Sequence, residues 1–235
     1  MTGAPTPPAL ASWRLRLRER RIYALIDVGI IALVFLADQR HLIYLSKTPY
    51  LLAVGWLSLW LRGFSWRSVG FSVPPSGWWR AVRLGLLAGL AIEALELFVT
   101  QPLLVRWTGK YPDLSVFAAS RHDVTFLLLL LAGSWILAAL GEELVWRGYV
   151  FNRVSDLVGR SRVGVVTALV LMSAAFGLAH ADQGATGVVE NTIDGALLGL
   201  LYLGASRNLW LPIVAHGVTD SVDSLLLFLG WYPGM

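Results

Sequence analysis

From residue 22 onward the chain alternates long apolar runs with short charged or Pro/Gly-rich breaks. Seven runs stand out, at roughly 22–38, 49–62, 80–104, 124–151, 163–180, 187–205 and 208–231. A helix needs about 20 apolar residues to cross the hydrocarbon of a bilayer. Inside lipid each backbone polar group must be satisfied within its own segment, so helices are the expected element. The run at 49–62 is short, which widens a count of about seven spans to six to eight. The pattern therefore predicts an all-α fold, a polytopic membrane helical bundle. The breaks carry Gly, Pro and Arg, as in Gly159-Arg160-Ser161-Arg162, which reads as a tight turn between the fourth and fifth helices.

Composition agrees. The 235 residues are 56% hydrophobic and 14% charged, with mean hydropathy +0.64. Soluble domains carry about a quarter charged residues. Cysteine is absent, which removes disulfide and thiolate chemistry. The net charge of +4 comes largely from arginine and reads as membrane orientation and headgroup contact, with no nucleic-acid partner expected. Residues 1–12, with Pro5, Pro7 and Pro8, are expected to be disordered, and 13–21 to form a basic amphipathic helix on the membrane surface. Residues 1–21 thus form a basic N-terminal segment ahead of one integral membrane domain, 22–235. The run Tyr23–Ala37 has no small-x-small cleavage site and is read as an uncleaved first span rather than a signal peptide. Arg14–Arg21, then Arg62, Arg67, Arg80 and Arg83, then Arg147, Arg153, Arg160 and Arg162, then Arg207 return to one side after every second span. By the positive-inside rule that side, with the N-terminus, is cytoplasmic and the protein is a multi-pass cell-membrane protein.

Three polar islands interrupt the second half: Glu142-Glu143 with Arg147, His180 behind Phe176, and His216 followed by Asp220. Ionisable residues at membrane depth are costly and point to function. Glu143 precedes Arg147 by four residues, the favourable order for a helical ion pair. That leaves Glu142 as the chemically free carboxylate, suited to general-base work. The bland alternative is two acids solvated at a helix end. Phe176 and His180 share a helix face, as do His216 and Asp220. The latter two form either an intrahelical pair or a pair of metal ligands. Glu93 and Glu96 in the third run either line a wet cavity or pack against a partner helix. Glu190 and Asp194 either line a substrate path or serve structure near the outer surface. Residues 63–79, rich in Trp and Pro, read as a membrane-surface connector.

Glu142 lies 19 residues before Ser161 and His180 lies 19 after it. In an antiparallel hairpin they reach one height, about 28 Å from the turn at 1.5 Å per residue. His216 is about 14 Å into its own helix from the Arg207 turn. If the hairpin protrudes, all three islands share a level below the cytoplasmic surface. The loop-like string Ala181-Asp182-Gln183-Gly184 conflicts with this unless the helix is broken or the site is a wet crevice.

The string Glu142-Glu143-Leu144-Val145-Trp146-Arg147 fits EExxxR, Phe176 to His180 fits FxxxH, and His216 to Asp220 resembles HxxxN. In this order they resemble the CPBP family of intramembrane proteases, which includes type II CAAX prenyl endopeptidases and bacterial Abi proteins. The resemblance covers roughly 124–225. It implies an intramembrane endopeptidase acting on a membrane-tethered protein or peptide. By that resemblance Glu142 and His180 activate a water, His216 and Asp220 stabilise the oxyanion, and Glu143, Arg147 and Phe176 support them. No cofactor is expected, with zinc the alternative, since two His and two acids are plausible zinc ligands. Position 220 is Asp where the family pattern has Asn, so it donates to an oxyanion only when protonated and otherwise orients His216. A non-catalytic immunity or scaffold protein binding a peptide in the same cavity is the main rival, and a proton-coupled transporter a further one.

Overall fold

The computed structural model describes residues 9–19, 21–44 and 46–234. The described residues are helical, with no strand. The ten α-helices are α1 (Ala9–Glu19), α2 (Arg21–Gln39), α3 (Lys47–Leu61), α4 (Trp78–Leu95), α5 (Gln101–Thr108), α6 (Val124–Gly133), α7 (Phe151–Val158), α8 (Arg162–Leu178), α9 (Gly184–Gly204) and α10 (Trp210–Leu229). A π-helical turn, Glu96–Thr100, joins α4 to α5. Two more, Ser134–Glu142 and Leu144–Val150, join α6 to α7, so Val124–Val158 is one 35-residue helix.

Each of the seven apolar runs is helical within a few residues of its expected bounds. Among the described residues three helices are long and apolar enough to cross a membrane: Arg21–Gln39, Val124–Val158 and Trp210–Leu229. The broken pair α8 and α9 raises this to four if it crosses as one span. Helix α1 covers 13–19 of the helix expected over 13–21; residue 20 lies outside the described residues and Arg21 begins α2. The disorder expected for 1–12 does not hold for 9–12, which form the first turn of α1, and residues 1–8 lie outside the described residues.

Local chemistry sets the ends. Ser161 caps α8 by accepting from the Gly164 amide at 3.2 Å, and Asp123 caps α6 by accepting from Phe126 at 3.0 Å. Gly159 closes α7 at φ 98°, a backbone region that favours glycine, and so makes the turn into α8.

Helix α10 packs most extensively on α4. Gly85 and Gly89 form a small-xxx-small face there. A Cβ on Gly89 would sit 2.5 Å from the Ala215 carbonyl oxygen and 2.7 Å from Val218 Cβ. Helix α9 folds back along α8, with Gly177 against Val188 and Thr192, Gly195 against Ser173, and Gly199 against Leu169 and Met172. The pair bends by 60° at the break between Leu178 and Ala181. Trp146, Tyr149, Phe151, Phe176, Tyr202 and Leu209 belong to the main core. Large apolar side chains such as Leu33, Leu87, Leu129 and Val166 point outward, as a lipid-facing surface requires.

Candidate active site

The hairpin register follows the count from the turn. Trp146 lies 15 residues before Ser161 and Phe176 lies 15 after it, and their rings meet edge to face at 5.3 Å. Phe176 is the hub. Its ring lies 5.0 Å from His180, 6.3 Å from His216 and 4.7 Å from the Arg147 guanidinium. The FxxxH spacing therefore fixes more than a histidine, because its aromatic ring lies beside Arg147 and both His180 and His216.

Glu143 and Arg147 are fully buried and paired at 2.6 Å. Arg147 also donates to the Gly195 carbonyl at 3.1 Å, tying the fourth apolar run to α9. Glu143 has a second partner that helical spacing does not show: His216 Nδ1 is 2.9 Å from the same oxygen, Oε1. On its other side His216 Nε2 faces Asp220 Oδ1 at 3.5 Å. Both ring nitrogens of His216 thus point at carboxylates. His216 and Asp220 face one another along one side of α10. Among the described residues no group of three or more His, Asp or Glu is placed to hold a metal ion.

Glu142 diverges from Glu143 and lines a cavity of about 200 Å³. Its only side-chain partner among the described residues is the Thr48 hydroxyl, which donates over a long 3.5 Å. His180 lines the same cavity from the break between α8 and α9. Its Nδ1 is 2.9 Å from the Phe176 carbonyl, which can only accept. That bond selects the Nδ1–H tautomer and leaves the lone pair on Nε2. Glu142, His180, His216 and Asp220 all line one cavity, so the structure brings the four candidate catalytic residues together.

The level of the site differs from the count based on depth below the arginine-rich surface. Helix α8 stops at Leu178, and His180 sits at its far end rather than inside it. Pro112, Leu114 and Phe117 before α6, Gln183 before α9 and Tyr232 after α10 complete the wall. These belong to the end opposite the arginine-rich turns. The broken helix is therefore the resolution of the conflict at Ala181–Gly184, and the cavity lies toward the arginine-poor end.

Sequence reasoning left Glu96, Glu190 and Asp194 undecided, and all three line the cavity. Glu93 is buried beside it, and neither of its carboxylate oxygens has a hydrogen-bond donor. Asp223 and Thr48 were missed. Asp223 follows His216 by seven residues and Asp220 by three, a helical stripe that was available in the sequence. Thr48 carries no such signal, since it reaches Glu142 only through the packing of α3 on the π-helical segment.

Residues 124–222 match the family model of the type II CAAX prenyl endopeptidase Rce1-like family. The match covers somewhat under half of the chain, and the four residues of the cavity named above lie within it. The general activity associated with such a domain is CAAX-type intramembrane endoproteolysis, and the apolar helices fit a membrane protein. No curated protein and no solved structure gives a significant match.

Proposed function

We propose that this protein is a glutamate-dependent intramembrane endopeptidase that hydrolyses a peptide bond in a membrane-tethered protein or peptide. The observation that carries the reading is the division of labour between adjacent acids. Glu143 is consumed by Arg147 and His216, while Glu142 faces the cavity with one long hydrogen bond. A water between Glu142 and His180 Nε2 loses its proton as its oxygen attacks the substrate carbonyl. The carbonyl becomes an oxyanion. His216, held between Glu143 and Asp220, presents Nε2–H toward it when the ring carries both protons. Collapse breaks the C–N bond, and the proton held on Glu142 or His180 passes to the leaving amine. Asp220 is then a positioning residue for His216. The gathering of arginine-rich turns at one end supports a cytoplasmic N-terminus in the cell membrane.

A second reading has one specific observation in its favour. Position 220 carries an acid where an amide would donate to the oxyanion, which suits a protein that binds a peptide without cleaving it. Comparison of peptide termini in membranes from cells expressing wild type or Glu142→Gln at matched levels separates the two. New termini made only by wild type are the expected result. Identical termini, with the variant still rescuing a deletion phenotype, would establish the binding protein instead.

A further inference from the structure

A second cavity, of about 600 Å³, lies at the arginine-rich end of the bundle. Its wall is built from the turn between α3 and α4, the segment Gly148–Arg160 and the turn between α9 and α10, with Arg18 from α1. Five arginines line it: Arg18, Arg62, Arg67, Arg160 and Arg207. The only acid in the wall is Asp156, and three cations already share it. Arg153 and Arg160 approach it to 2.6 Å and Arg62 to 3.9 Å. Among the described residues neither Arg67 nor Arg207 has a carboxylate within ion-pair distance, and Arg207 only stacks over Phe151 at 5.7 Å. The cavity therefore carries a large uncompensated positive charge.

Among the described residues Arg18 also lacks an acid and donates to the Arg62 and Gly63 carbonyls, while the turns that carry Arg67 and Arg207 are held together. Gly70, at φ 112°, packs so closely under Arg207 that a Cβ there would collide with the Arg207 carbonyl oxygen. The Leu209 amide donates to Gly70 O at 3.0 Å, and Asn208 Nδ2 donates to Ser72 O at 3.0 Å. Tyr202 adds a hydrogen bond to Val69 O at 2.9 Å. These bonds lock the two turns together and so fix the backbone from which Arg67 and Arg207 reach the cavity. The exposed indoles of Trp56, Trp60, Trp78 and Trp79 belong to the neighbouring ends of α3 and α4. Tryptophan prefers the headgroup level, so the cavity lies at the depth of lipid phosphates.

We propose that this cavity binds a phosphate-bearing anion, supplied by the headgroup of an anionic lipid in the arginine-rich leaflet. Guanidinium forks match phosphate oxygens in pairs. Basic pockets between membrane helices on the cytoplasmic side are suited to such headgroups. Tyr149 lines this cavity and Glu142 the other, seven residues apart on one helix, about 10 Å of rise. A bound headgroup would hold the segment that carries the glutamates.

The test uses the full chain in mild detergent with equal phosphatidylglycerol and phosphatidylcholine, and native mass spectrometry to count retained lipids. One phosphatidylglycerol is expected to be retained in preference to phosphatidylcholine. Arg67→Gln with Arg207→Gln should lower its retention about thirtyfold, and the exposed Arg67→Gln alone about fivefold, from roughly 1 kcal/mol per arginine. Arg80→Gln with Arg83→Gln, two exposed arginines that do not line the cavity, should leave retention unchanged. Displacement of the lipid by inorganic phosphate would keep the chemistry and shift the source to soluble phosphate. Undiminished retention by the Arg67→Gln single variant and the double variant would overturn the proposal. So would an equal loss in Arg80→Gln with Arg83→Gln, which would mean general surface attraction. None of these readouts depends on proteolysis.

Discussion

The two cavities of this bundle hold opposite charge and treat it differently. At the arginine-rich end five guanidiniums surround a single acid that three cations already share, at a depth where water and headgroups are within reach. Around Glu142 the wall is instead acidic, with Glu96, Glu190, Asp194, Asp220 and Asp223 beside it and only two histidines as potential cations. Arg147 stands just behind that wall, fully buried and committed to Glu143. Carboxylates in such a place need protons, water or a bound group to be tolerable. The first arrangement is suited to holding a charged ligand at an interface. The second is suited to moving protons on and off oxygen. Charge at membrane depth is thus a marker of chemistry only where its partners are missing, and the contrast between Glu142 and Glu143 shows this within two adjacent residues.

The sharpest way to break that contrast is to remove the acid that lacks a base. Glu142→Gln should cut turnover of a cleaved peptide by about 10²–10⁴-fold, the usual contribution of a general base. Lipid retention and thermal stability in detergent should stay at wild-type values, because Glu142 contributes only one long hydrogen bond. The next largest effect should fall on stability. Arg147→Met leaves Glu143 buried with His216 as its sole cation and breaks the bond to Gly195 O. Breaking one side of a buried pair costs about 3–5 kcal/mol. Thermal unfolding should show a large fall in midpoint, partly recovered in the double variant Glu143→Gln, Arg147→Met. A midpoint unchanged by Arg147→Met would mean that the pair does not organise the site.

Much of this was legible in the sequence. The seven apolar runs follow from the demand of lipid for satisfied backbone groups, and they became helices where expected. The hairpin register followed from one turn, Gly159 to Arg162, and Trp146 meets Phe176 as the count requires. The ion pair of Glu143 with Arg147 followed from spacing on one helix. Contacts between helices were harder. The bond from His216 to Glu143 joins residues 73 apart, and nothing in either motif announces it. The arginines were readable as an orientation signal, but their convergence on one cavity depends on Gly70 packing under Arg207. The depth of His180 was misread because a helix was continued through Ala179, where the chain turns back on itself. The four-residue spacing of Gly85 and Gly89 was visible, yet its partner, α10, was not.

That glycine face gives the third prediction. Gly89→Ala places a methyl group against Ala215 O and Val218, which can yield only by separating α4 from α10. Overpacking of this kind costs about 1–3 kcal/mol. The loss should appear as a lower unfolding midpoint together with a raised KM, since Ile92 and Glu96 on the α4 side form part of the wall of the acidic cavity. Lipid retention at the basic cavity should not change, which makes this variant a test of whether the two regions are separable. Loss of the lipid along with substrate affinity would show that they are not.

The smallest effect is expected for Asp220→Asn, at the position where the two readings of the acidic cavity part company. Asp220 Oδ1 faces His216 Nε2 at 3.5 Å, too long for a strong hydrogen bond but close enough to orient the ring. Asn in its place keeps an oxygen for that contact and gains an amide that donates to a developing oxyanion. Asp220→Asn should therefore keep kcat within about tenfold of wild type, whereas Asp220→Ala, which removes the contact that orients His216, should lose about 10²–10³-fold, the usual cost of disabling an oxyanion donor. Measured on one peptide, the ratio of the two variants isolates positioning from mere space-filling. Equal and severe losses would mean that a carboxylic acid is required at this position, as a proton donor. Equal and negligible losses would remove Asp220 from the mechanism and leave the oxyanion to His216 alone.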